Sequence, residues 1–191
     1  DRNLNILKPG DEVIVSSYSW STTIWPILQR GLIPVFVDID KETLNIDPSK
    51  IIKAITKKTK AIMIVHTYGN PCQMDEINKI VSKKKLILIE DCCEAMGAIY
   101  KNKSVGSFGI LSTFSFYFSH HITTLEGGIC ITKSSKIRDF IKIQRSHGWI
   151  RDIKNFNKFK NYFRDFDKNF IFVSEGYNLR LNELQAAIGV E

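Results

Sequence analysis

Short apolar runs separated by polar turns recur along the chain from residue 13 onward. Val13–Tyr18 reads as a strand, announced by the turn Pro9-Gly10-Asp11. A polar stretch, Ser19–Thr23, caps a helix that ends near Gly31, a residue suited to the position just past a helix. Pro34–Ile39 is a second strand. Asp47 as N-cap and Pro48 at the first helical position then start a helix to about Ile55. Ala61–Tyr68 is a third strand, Gly69–Pro71 a turn, and Asp75–Lys83 a helix. Leu86–Glu90 is apolar almost without a break, the mark of a strand covered on both faces, as in a parallel sheet with helices on each side. The alternation predicts an α/β domain of three layers, α/β/α, around a mostly parallel sheet.

Phe114–Gly128, FSFYFSHHITTLEGG, breaks the alternation. It begins as a strand, runs into a polar turn carrying His120 and His121, and closes on Glu126-Gly127-Gly128 before a second strand, Ile129–Thr132, with no helix between. A helix follows from Ser135 to about Arg145. Asn155–Asn169, rich in lysine, asparagine and aromatics, has no clear period and reads as a loop. Gly176-Tyr177-Asn178 leads to a last helix, Leu181–Val190, whose small and apolar residues predict close packing. The chain opens on Asp1 and stops at Glu191 inside that apolar pattern, so a piece cut at both ends is expected.

Composition narrows the classes. With 191 residues and 43% hydrophobic content there is material for a real core, and no apolar run approaches the roughly 18 residues that span a bilayer. The net charge of +7 comes from lysines scattered through helices and turns, without the aromatic and arginine surface that single-strand binders use. They read as a solvated face, and neither nucleic acid nor membrane is expected as a partner. The four cysteines (Cys72, Cys92, Cys93, Cys130) have neither zinc-ligand spacing nor a disulfide pattern, which fits a reducing, cytoplasmic setting.

The candidate chemistry lies at strand ends, where open α/β sheets place their ligands. Asp91 follows the apolar strand; the alternative for its carboxylate is a cap on the turn at Glu94-Ala95. Trp20 just past the first strand can offer a flat face to a planar ligand, or simply pack. Ser115 can donate to a phosphate or cap a backbone group. A flat ring, an acid, a hydroxyl and an imidazole together suit an aromatic, phosphate-bearing cofactor with a protonated ring nitrogen, as in pyridoxal phosphate. A metal site on His120, His121 and Glu126 is disfavoured, because adjacent histidines splay apart on an extended chain.

The runs GDEVIVSSYSW, PVFVDID, TLNIDP, AIMIVHTYGNPCQMD, LILIEDCCEAMGA, FSFYFSHHITTLEGG and GYNLRLNELQAAIG resemble, in order, the DegT/DnrJ/EryC1/StrS family of sugar-nucleotide aminotransferases, fold-type I pyridoxal phosphate enzymes. The resemblance implies that 1–150 is part of a cofactor-binding large domain. It makes 151–175 a loop near a dimer interface and 176–191 the start of a helix leading to a small domain. Trp20 falls where an aromatic stacks on the cofactor ring, Asp91 where an aspartate pairs with the ring nitrogen, and Ser115 where a serine bonds the phosphate. Asn178 matches an asparagine that reaches the phosphate site of the neighbouring subunit, implying a homodimer. Glu94 stands where members usually carry glutamine near the ring oxygen.

His120 is the departure with chemical consequence. Aminotransferases of the family carry a lysine there, in a pattern like FSFYPTKN, and bind the cofactor covalently through it. An imidazole cannot make that linkage, and histidine here resembles the 3-dehydratases of deoxysugar biosynthesis for surface polysaccharide and lipopolysaccharide. The resemblance implies that pyridoxamine phosphate serves a nucleotide-linked 4-keto-6-deoxy sugar, with His120 as the base, glutamate as amino donor, and His121 and Glu126 in support. No cysteine lies between Trp149 and Tyr177, so no iron–sulfur cluster is expected. The competing expectations are an aminotransferase, which needs a cofactor-bound lysine, and an inactive relative serving as a binding subunit.

Overall fold

The computed structural model describes residues 7–153, 163 and 165–191, and the predicted loop Asn155–Asn169 falls mostly outside them. The chain divides into two compact units, Asp1–Ile131 and Thr132–Glu191. The first holds β1 (Glu12–Ser16), α1 (Ser21–Gln29), β2 (Ile33–Val37), α2 (Pro48–Ala54), β3 (Thr59–Val65), α3 (Met74–Lys84), β4 (Ile87–Asp91), β5 (Ile99–Tyr100), β6 (Lys103–Ser104), β7 (Leu111–Ser115) and β8 (Gly128–Ile131). Six strands form one sheet in the order β2-β1-β3-β4-β7-β8. All its pairings are parallel except β7 with β8, the predicted pair without a helix between.

Strand alternation sorts the core onto two faces. Val13, Val15 and Ala61 pack with Ile27 of α1, while Ile14, Ile62, Ile64 and Leu88 pack on the other side with Ile51 of α2 and with Ile77 and Ile80 of α3. That is the predicted α/β/α sandwich, and it explains the unbroken apolar runs: β3 and β4 are covered twice. The same alternation divides two neighbouring acids. Asp91 stands in register with Val65 and Thr113 and turns to the α1 face, and Glu90 turns to the face covered by α2 and α3.

Three local details differ from the sequence reading. Ser19 does not cap α1: Trp20 is the N-cap without a side-chain bond, and the Ser19 hydroxyl donates to the Ser16 carbonyl at 3.2 Å. The two-residue strands β5 and β6 form a hairpin that no periodicity marks. The last helix, α5 (Glu183–Ile188), starts on an Asn182–Gln185 capping box but is not closely packed. Leu184 is 78% and Val190 85% exposed, since no described element covers that face.

The second unit also holds α4 (Ser135–Gln144), capped by the Ser134 hydroxyl, and a small core of Ile143, Ile150, Ile153 and Ile171. Gly148 has φ +85°, and a Cβ there would lie 1.7 Å from the Ser174 carbonyl oxygen. Gly148→Ala is therefore expected to cost about 2 kcal/mol or more, through left-handed backbone strain and backbone displacement together. A melt of the variant followed by tryptophan fluorescence checks this through Trp149, which stacks on Phe172 in the same unit. No helix among the described residues is long and apolar enough to cross a membrane.

Candidate active site

The predicted residues of the first unit lie at or beyond the carboxyl ends of β1, β4 and β7. Asp91 closes β4, 8% exposed. Its Oδ2 accepts the Thr23 hydroxyl at 2.7 Å and its Oδ1 the Cys93 N–H at 3.1 Å. One oxygen thus caps the turn after β4, and the other faces α1. Among the described residues Asp91 joins no ion pair. A buried carboxylate without a cation is costly, and a protonated ring nitrogen would offset that cost, so the site fits a pyridinium group. Burial first, then the Asp91 charge, pushes the neighbouring Cys93 thiol up, which keeps it from competing as an anion.

Thr23 had no signal in the sequence. It lies in the first turn of α1, its N–H donating to the Trp20 carbonyl at 3.1 Å, so one turn carries both the Asp91 contact and Trp20. Trp20 itself is 75% exposed, just past the carboxyl end of β1. Ser115 ends β7 on the same face as Asp91 and Thr113. Its Oγ accepts the Tyr117 N–H at 3.2 Å, which leaves the hydroxyl proton to donate.

A cavity of about 400 Å³ is lined by Tyr68, Glu94, Ser119, His120 and His121. Glu94 accepts the Tyr68 N–H at 2.7 Å and so fixes a tyrosine whose φ is +53°. The Tyr68 hydroxyl meets that of Tyr18 at 2.5 Å. Strained non-glycine backbone tends to mark functional sites; the sequence hinted at this one only through the adjacent Gly69. His120 is half-buried, its N–H bonded to the Tyr117 carbonyl at 3.1 Å and its ring edge-on to Tyr117. Glu126 does not line this cavity; its carbonyl accepts the Thr124 hydroxyl at 2.6 Å in the turn that returns to β8. Asn178 lies in the second unit, exposed, with its backbone bridged to Ser146.

Behind the sheet sits a group the sequence reading passed over. Glu90 is fully buried and accepts four N–H bonds: Phe108 (2.8 Å) and Gly109 (2.6 Å) on Oε1, Gly106 (2.7 Å) and His66 Nε2 (3.2 Å) on Oε2. His66, Glu90 and Cys92 have potential metal-ligand atoms within 4.8 Å of one another, but both carboxylate oxygens and both ring nitrogens are already engaged. Burial pushes the Glu90 carboxyl up, yet the bonds from His66, Gly109 and Gly106 outweigh it and hold it below its ordinary 4.5. A depressed value means stability present above pH 4.5 and lost as the pH falls through the folded value. The difference in unfolding free energy between the native chain and Glu90→Gln should therefore narrow below that pH in an acid titration.

Residues 2–191 match the DegT/DnrJ/EryC1/StrS aminotransferase family. The chain belongs to that family. It is 48% identical over 187 residues to the GDP-4-keto-6-deoxy-D-mannose 3-dehydratase of Escherichia coli O55:H7, which covers 97% of this chain and 48% of the relative. A crystal structure of a mutant GDP-4-keto-6-deoxymannose-3-dehydratase with bound GDP-perosamine superposes with a TM-score of 0.91 at 46% identity, over 98% of this chain and 49% of that one. A second structure of that enzyme, with a trapped PLP-glutamate geminal diamine, gives 0.86 at 44% identity, over 97% and 48%. The chain thus spans about half the length of the curated relatives it matches.

Proposed function

We propose that this chain is the cofactor-binding half of an enzyme that uses pyridoxal or pyridoxamine 5′-phosphate to remove the C-3 hydroxyl of a nucleotide-linked 4-keto-6-deoxy sugar. The observation that carries the reading is His120. It lines the cavity with Glu94 and Tyr68 at the end of the β7 turn, and no lysine is among the described residues of that lining. The likeness to 3-dehydratases, one of them holding a nucleotide sugar and one a glutamate adduct, supports the substrate class and glutamate as amino donor.

When bound, the pyridine ring supplies an electron sink for charge developing next to it. Asp91 holds the proton on the ring nitrogen, oriented by Thr23 and the Cys93 N–H. Trp20 would cover the ring, Ser115 would donate its hydroxyl to the phosphate, and Glu94, which Tyr68 holds through one carboxylate oxygen, would stand near the ring oxygen. His120 would take a proton at the cofactor's 4′ carbon and return one, a role that an imidazole fills near neutral pH. Asn178 completes the phosphate site of a second subunit in a homodimer. The free thiols at Cys72 and Cys92 support a reducing cytoplasm; burial, with the Glu90 charge, pushes the Cys72 thiol up to about 12.

The deciding experiment incubates the full-length protein with a 4-keto-6-deoxy sugar nucleotide, pyridoxamine phosphate and glutamate. A 3-deoxy product is expected, and a 4-amino sugar that keeps its C-3 oxygen would overturn the reading. In the same preparation, borohydride should leave the polypeptide mass unchanged; cofactor trapped on any lysine would point to an aminotransferase.

A further inference from the structure

We propose that Glu90, on the opposite face of β4 from Asp91, is a positioning residue that couples cofactor occupancy to the segments 66–72 and 106–109; the proposal rests on the cofactor reading above. A buried carboxylate is expensive unless its lone pairs are filled. Glu90 fills them from two places, one side from the backbone of Gly106, Phe108 and Gly109 and the other from His66.

The proton order in this network is fixed. His66 Nδ1 accepts the Cys72 N–H at 3.1 Å, so the imidazole proton sits on Nε2 and points at Glu90. Bonds therefore run in one direction, from Cys72 through His66 to the carboxylate, and four donors converge on it. Each oxygen takes two of those donors, so an amide at position 90 would place its own NH₂ against two of them, and the site requires a carboxylate.

The network also grips Asp91. The backbone N–H of His66 donates to the Asp91 carbonyl at 3.2 Å, and the backbone N–H of Cys92, next after Asp91, donates to the Thr113 carbonyl in β7 at 2.8 Å. Segment 66–72 carries Tyr68, which Glu94 holds in the cavity beside His120. Any adjustment of Asp91 on receiving a ring nitrogen is thereby shared with the Glu90 bonds. By thermodynamic linkage, a cofactor that tightens those bonds must bind more weakly when they are loosened.

Hydrogen exchange on the full-length native protein, with and without pyridoxamine phosphate, tests this without any mutation. The amides of Cys72, Gly106, Phe108 and Gly109 are expected to gain at least tenfold more protection on binding than those of Val13–Val15, which report global stabilisation. Equal gains in both sets would overturn the proposal. In Glu90→Gln, the dissociation constant for pyridoxamine phosphate should rise tenfold or more, and the pH titration of the bound ring's absorption should shift; native binding and titration in a folded variant would also overturn it. If that variant does not fold, the exchange result decides alone. Failure of the native protein to bind pyridoxamine phosphate would remove the cofactor reading together with this one, whereas binding with equal exchange gains removes only this one.

Discussion

Replacing His120 with asparagine is expected to lower dehydration by about 10²–10⁴-fold, the usual contribution of a positioned acid–base group, and to leave cofactor binding nearly unchanged. The separation follows from placement. In the proposed site the ring-nitrogen contact would fall to Asp91 on β4, the phosphate contact to Ser115 at the end of β7, and the ring face to Trp20 before α1. His120 lies in the turn beyond β7, against Tyr117 on one side and the cavity on the other. Asparagine keeps the polarity and roughly the size of that half-buried position, so the turn should keep its shape. Single-turnover kinetics and cofactor titration on the full-length variant measure the two effects separately. A variant within threefold of the native rate would assign the base to another group, and His121 and Tyr68 in the same lining would be tested next.

The sheet was legible because both of its faces are covered. Ile62–Ile64 and Leu88–Ile89 had to be apolar without interruption, since α1 packs on one side and α2 and α3 on the other. Asp47-Pro48 announced α2 correctly because capping and proline geometry are local. The β5–β6 hairpin was silent for a related reason. Its turn places Lys101 and Asn102 at positive φ, +44° and +64°, where a glycine would have signalled the turn type.

At the site, residues whose chemistry is their own could be placed from the pattern: Asp91 and Ser115 stand at strand ends and His120 in the turn beyond β7. Thr23 and Glu90 were not, because what they do depends on partners 68 and 16 to 24 residues away. A threonine in a helical turn and a glutamate at the end of an apolar strand carry no periodic mark of such contacts. The expected packing of the last helix failed in the opposite sense. An apolar pattern says that a face can be covered, and nothing in it supplies the cover.

Asp91→Asn should separate stability from binding. In the native chain the carboxylate is buried with two hydrogen-bond donors and no described cation. Asparagine can keep the Cys93 N–H on its carbonyl oxygen, and the Thr23 hydroxyl can turn to accept from the new NH₂. The variant also removes an uncompensated buried charge. Without cofactor, its melting temperature should therefore equal or exceed that of the native chain. With cofactor the order reverses. A ligand at a hundred times its dissociation constant stabilises by about 2.7 kcal/mol, and an amide that cannot hold the ring proton should forfeit most of that at native saturating concentration. Turnover should fall about 10²–10³-fold or more, since the lost interaction is a preorganised charge opposite a developing one. Paired melts of native and variant protein, with and without pyridoxamine phosphate, read both effects. Retention of the full cofactor-induced shift in Asp91→Asn would move the ring nitrogen to a different partner, and with it the assignment of this strand end.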